Sequence, residues 1–251
     1  MKRERIDKLL VELGFADSRA KAQAMIMAGV VLVDEQRVDK PSNAFAPDSS
    51  IRIKNANDPT SRYVGRGGLK LEAAITNFQL DVTNSVCLDV GASTGGFTDC
   101  LLKNGAAKVF AVDVGHNQID YRLRTDSRVE VREGVNARYL QPADFPTKFE
   151  FIAVDVSFIS LTKILSALLP LLKETGKLVV LIKPQFEVGR GEVGSGGIVR
   201  DSEQRTRVIG VINNFAASIG LKNDGLIESP IHGADGNVEF LALYTRHKIG
   251  Q

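Results

Sequence analysis

The sequence predicts an α/β protein: a seven-stranded, mostly parallel sheet with crossover helices, preceded by a small α+β domain. Three observations carry that expectation. From residue 86 onward, apolar strand-like runs alternate with helical periodicity, the pattern of a doubly wound parallel sheet. A glycine-rich turn joins the first of those strands to a helix. The polar, unperiodic stretch Lys54-Asn-Ala-Asn-Asp-Pro-Thr-Ser-Arg62 separates this region from a shorter one before it. At 251 residues, with about 150 per domain, one to two domains are expected. The boundary is placed at residues 60/61.

In the first segment, Ile6, Leu9, Leu10 and Leu13 keep helical spacing and Gly14 supplies a stop. Asp17 or Ser18 can cap a second helix, with Ala20, Ala24 and Met27 on one face and Gly29 at its end. Val30–Val33 reads as a strand, Asp34-Glu35-Gln36 as a turn and Ile51–Ile53 as a short strand. In the second segment, strands are expected at Val86–Val90, Lys108–Val114, Val129–Arg132, Phe151–Val156, Lys177–Lys183, Leu226–Glu228 and Val238–Tyr244. Helices fit at Gly96–Lys103, Leu161–Leu172 and Glu203–Ile219. The last two strands have only a short glycine-containing loop between them, so they should pair antiparallel.

Composition narrows the function. With 43% hydrophobic and 25% charged residues, the chain can bury a core, which excludes a disordered protein. The longest apolar stretch, Ile164–Leu172, is broken by Ser166 and Pro170, far short of the roughly 18 residues of a membrane span. The charged start carries no secretory signal. Cys87 and Cys100 give neither metal spacing nor a disulfide framework. A cytoplasmic protein with no metal and no membrane partner is expected. Residues 1–70 carry 13 Lys/Arg and 9 Asp/Glu, a net +4; the remainder carries 19 and 21, a net −2.

The strongest local signal is Asp89-Val-Gly91-Ala92-Ser93-Thr-Gly95-Gly96-Phe97. Glycines let a ligand approach the backbone, and helix amides attract its polar groups. The dinucleotide pattern G-x-G-x-x-G would need glycine at position 93, where Ser93 stands. Asp113, 22 residues after Gly91, is placed to accept ribose hydroxyls. A nucleoside-containing cofactor is expected. S-adenosylmethionine fits better than NAD, because its cationic groups suit Asp89 whereas a pyrophosphate would be repelled. Asn136 is a candidate for the adenine edge; it reads equally as a turn residue. A purely structural strand–turn–helix corner is the competing reading of the whole turn.

Ligands in such folds bind beyond the carboxyl ends of the strands. Lys70, Asp155, Lys183 and Glu239 should gather there. A charge at the end of a buried strand needs a partner or a function. Two ordinary salt bridges would serve; so would a catalytic set. Two lysines and two acids suit removal of a proton from a weak acid such as a sugar hydroxyl, given a lysine that can become neutral. Asp155-Val-Ser-Phe158 lacks the prolines of base-amino methyltransferases. Neither cysteine is placed for attack on a cytosine ring.

These residues resemble the TlyA family, also labelled haemolysin A, of FtsJ-like ribosomal RNA 2′-O-methyltransferases. The strings Gly65-Arg-Gly-Gly-Leu-Lys70 and Asp89-Val-Gly-Ala-Ser-Thr-Gly-Gly-Phe-Thr98 carry the likeness. So do Arg5-Ile-Asp-Lys-Leu-Leu10 and Ser18-Arg-Ala-Lys-Ala22. The resemblance implies an alpha-L RNA-binding domain over residues 1–60, as in a small-subunit ribosomal protein. It implies a class I, Rossmann-like methyltransferase over residues 61–251. It also implies a Lys70–Asp155–Lys183–Glu239 tetrad with Lys183 as base. The implied activity is S-adenosylmethionine-dependent methylation of ribosomal RNA or ribosomal subunits at cytidine 2′-hydroxyls.

Arg3, Arg5, Lys8, Arg19, Lys21 and Arg66 are the candidate RNA contacts, since cations that meet phosphates dominate nucleic-acid affinity. Interleaved Glu4, Asp7, Glu12 and Asp17 would equally make a solvated face. Arg122, Arg124, Arg128, Arg132 and Arg138 form a second basic set among acids. Gly189–Gly197 has five glycines in nine residues and reads as a lid over the site or a surface loop. The alternatives to the enzyme are a membrane-active haemolysin and a catalytically silent RNA-binding protein.

Overall fold

The computed structural model describes residues 3–34, 36–53, 62–189, 191–233 and 236–247. The chain divides into two compact units, residues 1–62 and 63–251. Most of the expected linker, and Arg190 of the glycine-rich segment, lie outside the described residues.

In the first unit, β1 (Glu4–Arg5) runs into α1 (Ile6–Glu12), followed by α2 (Arg19–Met27), β2 (Val31–Val33), β3 (Gln36–Arg37), β4 (Ala44–Phe45) and β5 (Ile51–Ile53). Of the two possible caps for α2, Ser18 takes the role: its Oγ accepts the Lys21 N–H at 3.2 Å. β2 sits between β3 and β5, and β1 pairs with β4, all antiparallel. The helical spacing of α1 buries Ile6, Leu9 and Leu10 against Ile26, Val31 and Val33. β1 and β4 are two residues each and left no periodicity to read.

The second unit opens with α3 (Gly67–Asn77) and continues β6 (Val86–Val90), α4 (Gly96–Lys103), β7 (Lys108–Val112), α5 (Tyr121–Arg124), β8 (Val129–Arg132) and β9 (Phe149–Val154). It closes with α6 (Leu165–Leu168), β10 (Leu172–Ile182), α7 (Ser202–Ser218), β11 (Leu221–Glu228) and β12 (Phe240–Arg246). The seven strands lie in the order β11-β12-β10-β9-β6-β7-β8. β10, β9, β6, β7 and β8 are parallel; β12 is antiparallel to both β10 and β11. The period-2 alternation of the strands feeds two cores. One face places Leu88, Phe110, Ile152 and Val180 against α6 and α7. The other places Cys87, Val109, Phe151 and Val179 against α3 and α4.

Six expected elements change extent; one of them, β10, starts five residues before Lys177, at Leu172. The Leu161–Leu172 helix is broken into a 3-10 turn at Leu161–Lys163, α6, and a second 3-10 turn at Leu169–Leu171. Pro170 has no N–H to give and its ring crowds the preceding turn. β7 stops at Val112 because Asp113 folds back to accept the Gly115 N–H at 2.7 Å. β9 starts and ends two residues early, so Asp155 lies just past it. β11 begins five residues early, at Leu221. Its inward positions include Asn223 and Gly225, the latter beneath the Phe78 ring, and their polarity hid the alternation. β12 starts at Phe240, so Glu239 precedes the strand.

Phe149 is fully buried, with Phe145 and Phe110 edge-on at centroid distances of 5.0 and 5.5 Å. Removing this ring takes away burial and two aromatic contacts and leaves a cavity. Phe149→Ala should cost the second unit about 3–5 kcal/mol, measured as a lower urea midpoint with an unchanged slope.

Candidate active site

The sheet reverses direction of growth between β6 and β9: the chain runs outward through β7 and β8, then returns to the opposite side of β6. A crevice at the carboxyl ends of the strands is expected at that switch point. Val90 ends β6 and Gly91 turns the chain with φ +85°. A Cβ on Gly91 would sit 2.3 Å from the Asp155 carbonyl oxygen, so only glycine fits. The Asp155 N–H donates to the Val90 carbonyl at 2.9 Å. Ser93 keeps a glycine-like φ of +49°. Its N–H donates to Asp113 at 2.7 Å, and the Gly115 N–H holds the other carboxylate oxygen.

The crevice has two lobes. A cavity of about 410 Å³ is lined by Gly91, Ser93, Asp113, Asn136, Asp155 and Phe158, among others. A second, of about 180 Å³, is lined by Gly67, Ala92, Gly96, Phe97, Ser157 and Lys183, among others. Both are bounded by Gly91, Ser93, Asp155 and Ser157. Asn136 Oδ1 accepts the Arg138 N–H at 3.1 Å at the rim of the larger lobe. Gly95, with φ +94°, precedes α4 as its N-cap.

Asp89 lies under the turn. It is fully buried, accepts a hydrogen bond from Thr98 Oγ1 at 2.6 Å, and lines neither lobe. Its Oδ1 is buried without a partner. Burial pushes its carboxyl up to about 7, the Thr98 hydroxyl opposing and the Asp155 charge adding to the rise.

The four charged residues arrive from four elements and form two ion pairs. α3 starts directly on α4: a Cβ on Gly96 would lie 2.9 Å from the Gly68 nitrogen. This packing sets Lys70, one turn into α3, against Glu239; both are buried, and Lys70 Nζ donates to Glu239 Oε2. Lys183 follows β10, where Pro184 ends the strand by starting a 3-10 turn. Lys183 Nζ lies 2.5 Å from Asp155 Oδ1 and donates to Ser157 Oγ at 2.9 Å. The pairs are neighbours: Gln185 Nε2 reaches Glu239 Oε1 at 3.4 Å, and the Gly67 Cβ position is 3.7 Å from Asp155 Oδ2.

Three lining or bridging residues escaped the sequence. Ser157 was read only as a missing proline, yet it is the neutral partner of Lys183. Gln185 gave no signal, being a neutral amide two positions past Lys183. Phe158 has φ +63° and 90% exposure at the mouth of the larger lobe, beside the Phe186 ring. No local pattern marks a left-handed phenylalanine.

The candidate RNA cations separate. Arg3 is exposed and Arg66 is the N-cap residue of α3. Lys8 pairs with Glu4 and Glu12, and Lys21 with Asp17. Arg5 and Arg19 both reach Asp7. Of the second set, Arg122, Arg124, Arg128 and Arg132 pair with Asp120, Glu133, Asp126 and Glu130. Arg138 lines the larger lobe. Among the described residues no group of three or more His, Cys, Asp or Glu could hold a metal, and no helix is long and apolar enough to cross a membrane.

This sheet order and crevice define the Rossmann-like fold of class I methyltransferases, and a candidate S-adenosylmethionine-dependent methyltransferase from Listeria monocytogenes shares that fold at 15% identity, TM-score 0.54, covering 72% of this chain and 99% of that one. The FtsJ-like methyltransferase model matches residues 63–246 and the S4 domain model residues 4–45. The chain belongs to the FtsJ-like methyltransferase family and also carries an S4 domain. The Bacillus subtilis candidate rRNA methyltransferase YqxC is 49% identical over 96% of this chain and 85% of its own. The 16S/23S rRNA (cytidine-2′-O)-methyltransferase TlyA of Mycobacterium tuberculosis is 42% identical over 98% and 91%. A candidate hemolysin from Streptococcus thermophilus superposes with TM-score 0.77 at 43% identity, covering 99% of this chain and 90% of that one.

Asp89 generates a pH prediction. Its folded value, about 7, exceeds the unfolded value of about 3.9. Its contribution is therefore full below pH 4 and is lost as pH rises through 7. The Asp89→Asn variant should gain on the wild type by an amount on the order of 4 kcal/mol between pH 4 and pH 8. Urea unfolding of both proteins across that range checks it; a constant difference would show that Asp89 titrates normally.

Proposed function

We propose that this chain transfers a methyl group from S-adenosylmethionine to the 2′-hydroxyl of a cytidine ribose in ribosomal RNA. Residues 61–251 carry the reaction and residues 1–60 anchor the RNA. The observation that carries this reading is the Lys183–Asp155 ion pair on the wall of a nucleoside-sized crevice, with the buried Lys70–Glu239 pair behind it. The family membership and the activity named for the M. tuberculosis relative support it.

The residues suit that cofactor. Asp113, with one N–H on each oxygen, retains lone pairs for ribose hydroxyls. Asn136 stands at the rim for the adenine edge. The unpartnered Oδ1 of Asp89 is a buried negative atom that a cation above the turn would offset. Ala92, Gly96 and Phe97 line the smaller lobe on the side of Lys183. Bound there, S-adenosylmethionine supplies an electrophilic methyl group.

Lys183 is the proposed base because it lines the crevice, whereas Lys70 lines neither lobe. Its two partners differ in kind. Asp155 is a carboxylate that can only accept, and its ion pair favours the ammonium form. The Ser157 hydroxyl accepts from the ammonium and can donate to the neutral amine, so it supports both states of a lysine that takes up and releases a proton. Lys70, held by Glu239 and backed by Gln185, keeps a fixed positive charge beside the site.

Three substitutions test the assignment. Asp113→Ala should weaken S-adenosylmethionine binding tenfold or more, since hydrogen bonds to a charged group contribute about 1.5–3 kcal/mol each; calorimetric titration measures it. Lys183→Ala should lower single-turnover methylation of ribosomal RNA by about 10²–10⁴-fold with cofactor and RNA affinities retained. Lys183→Arg should be as inactive, because guanidinium stays protonated. Near-normal turnover by the arginine variant would reduce Lys183 to an electrostatic role. Absence of any methyl transfer by the wild type would instead favour the silent RNA-binding reading.

A further inference from the structure

The four cations on or just before α1 and α2 that read alike in sequence are not alike in structure. Lys8 lies 3.3 and 3.5 Å from Glu4 and Glu12, and Lys21 lies 2.7 Å from Asp17, each beside partly or largely exposed acids on its own stretch of chain. An approaching polyanion meets those carboxylates together with the lysines. Arg5 and Arg19 are arranged differently. Arg5 ends β1 just before α1, Arg19 opens α2, and both converge on one carboxylate, Asp7, which is fully buried.

Asp7 is saturated. Arg5 donates to it twice, from Nε and Nη2, both at 3.0 Å. Arg19 Nη2 donates at 2.9 Å and Gln23 Nε2 at 3.0 Å. The Arg5 bonds hold its carboxyl far below the usual range, ahead of burial, which opposes them. The arginines themselves are about half exposed, at 47% and 57% of their side-chain surface. Asp7 therefore occupies two of the five N–H groups of Arg5 and one of those of Arg19. The rest have no partner among the described residues. The negative charge is covered, and the two half-exposed guanidiniums are tethered to it, Arg5 in a fixed plane by two bonds and Arg19 at one point.

We propose that Asp7 is a positioning residue for RNA: it fixes Arg5 and Arg19 as a preformed clamp for backbone phosphate. Fixing the side chains beforehand removes rotamer entropy that binding would otherwise cost, and guanidinium meets phosphate best in a set plane. The proposal rests on the reading that residues 1–60 anchor RNA.

The sign of one measurement separates positioning from plain charge. Asp7→Asn removes a negative charge from an RNA-facing unit. Charge alone would make it bind the polyanion more tightly and with a steeper salt dependence. Positioning makes it bind more weakly. We expect Asp7→Asn in the full chain to lose about tenfold in affinity for purified ribosomal RNA, the scale of one hydrogen bond to a charged group, and to flatten the salt slope. Thermal melting and S-adenosylmethionine affinity serve as controls for folding. In an Arg5→Gln/Arg19→Gln background, Asp7→Asn should weaken binding no further. Unchanged or tighter binding by Asp7→Asn, with weakened binding by the arginine variants, would overturn the role of Asp7 and leave the anchor reading standing. No effect of the arginine variants would overturn both. If Asp7→Asn does not fold, Arg5→Lys decides. Lysine keeps the charge and cannot hold the two-pronged grip, so the clamp predicts a loss close to that of Arg5→Gln. Full retention of affinity by Arg5→Lys would overturn the proposal.

Discussion

The contact between Gly91 and the Asp155 carbonyl is the constraint on which the second unit's geometry depends. A Cβ there would come within 2.3 Å of backbone, closer than packed atoms tolerate. Its absence lets the ends of β6 and β9 meet at the point where the sheet changes direction. Asp155 is thereby delivered beside the cofactor-type turn, Lys183 follows on the neighbouring strand β10, and α3 is seated on α4 by the second close approach at Gly96. Widen the first contact and the crevice, the lysine and its carboxylate separate together.

Charge in this protein is managed by burying carboxylates under different degrees of satisfaction. Asp7 is saturated by arginine and glutamine donors and stays ionised well into acid. Asp89 has one hydroxyl donor and one bare oxygen, and its carboxyl is pushed up to about 7. The first arrangement suits a fixed scaffold. The second ties stability to pH, because a buried carboxylate with a bare oxygen is costly once it ionises.

The two tetrad pairs divide along similar lines. Lys70 and Glu239 are sealed in with Gln185 as a third member. Lys183 and Asp155 stand at the crevice wall, where a hydroxyl completes the set. Residue types alone make these pairs equivalent; depth in the fold makes one of them reachable by a ligand.

The sequence by itself determined the sheet's alternation and the order of turn and helix, and it marked as candidates several charged residues that the fold brings near the crevice. Apolar period-2 and period-3.6 patterns and glycine are local signals, and Asp113, Lys70, Asp155, Lys183 and Glu239 stand next to them. It misjudged elements whose local signal is weak or false. Pro170 broke an apolar run that had helical length, and inward Asn223 and Gly225 masked half of β11. The tertiary structure alone decided who partners whom. Nothing local tells that Asp89 faces Thr98 beneath the turn rather than the crevice. Nor does anything local tell that Lys183 leans on Ser157, or that Arg5 and Arg19 share one buried acid while Lys8 and Lys21 do not. Those pairings span from two to 26 residues. They are fixed by packing of distant segments, which no short window of sequence contains.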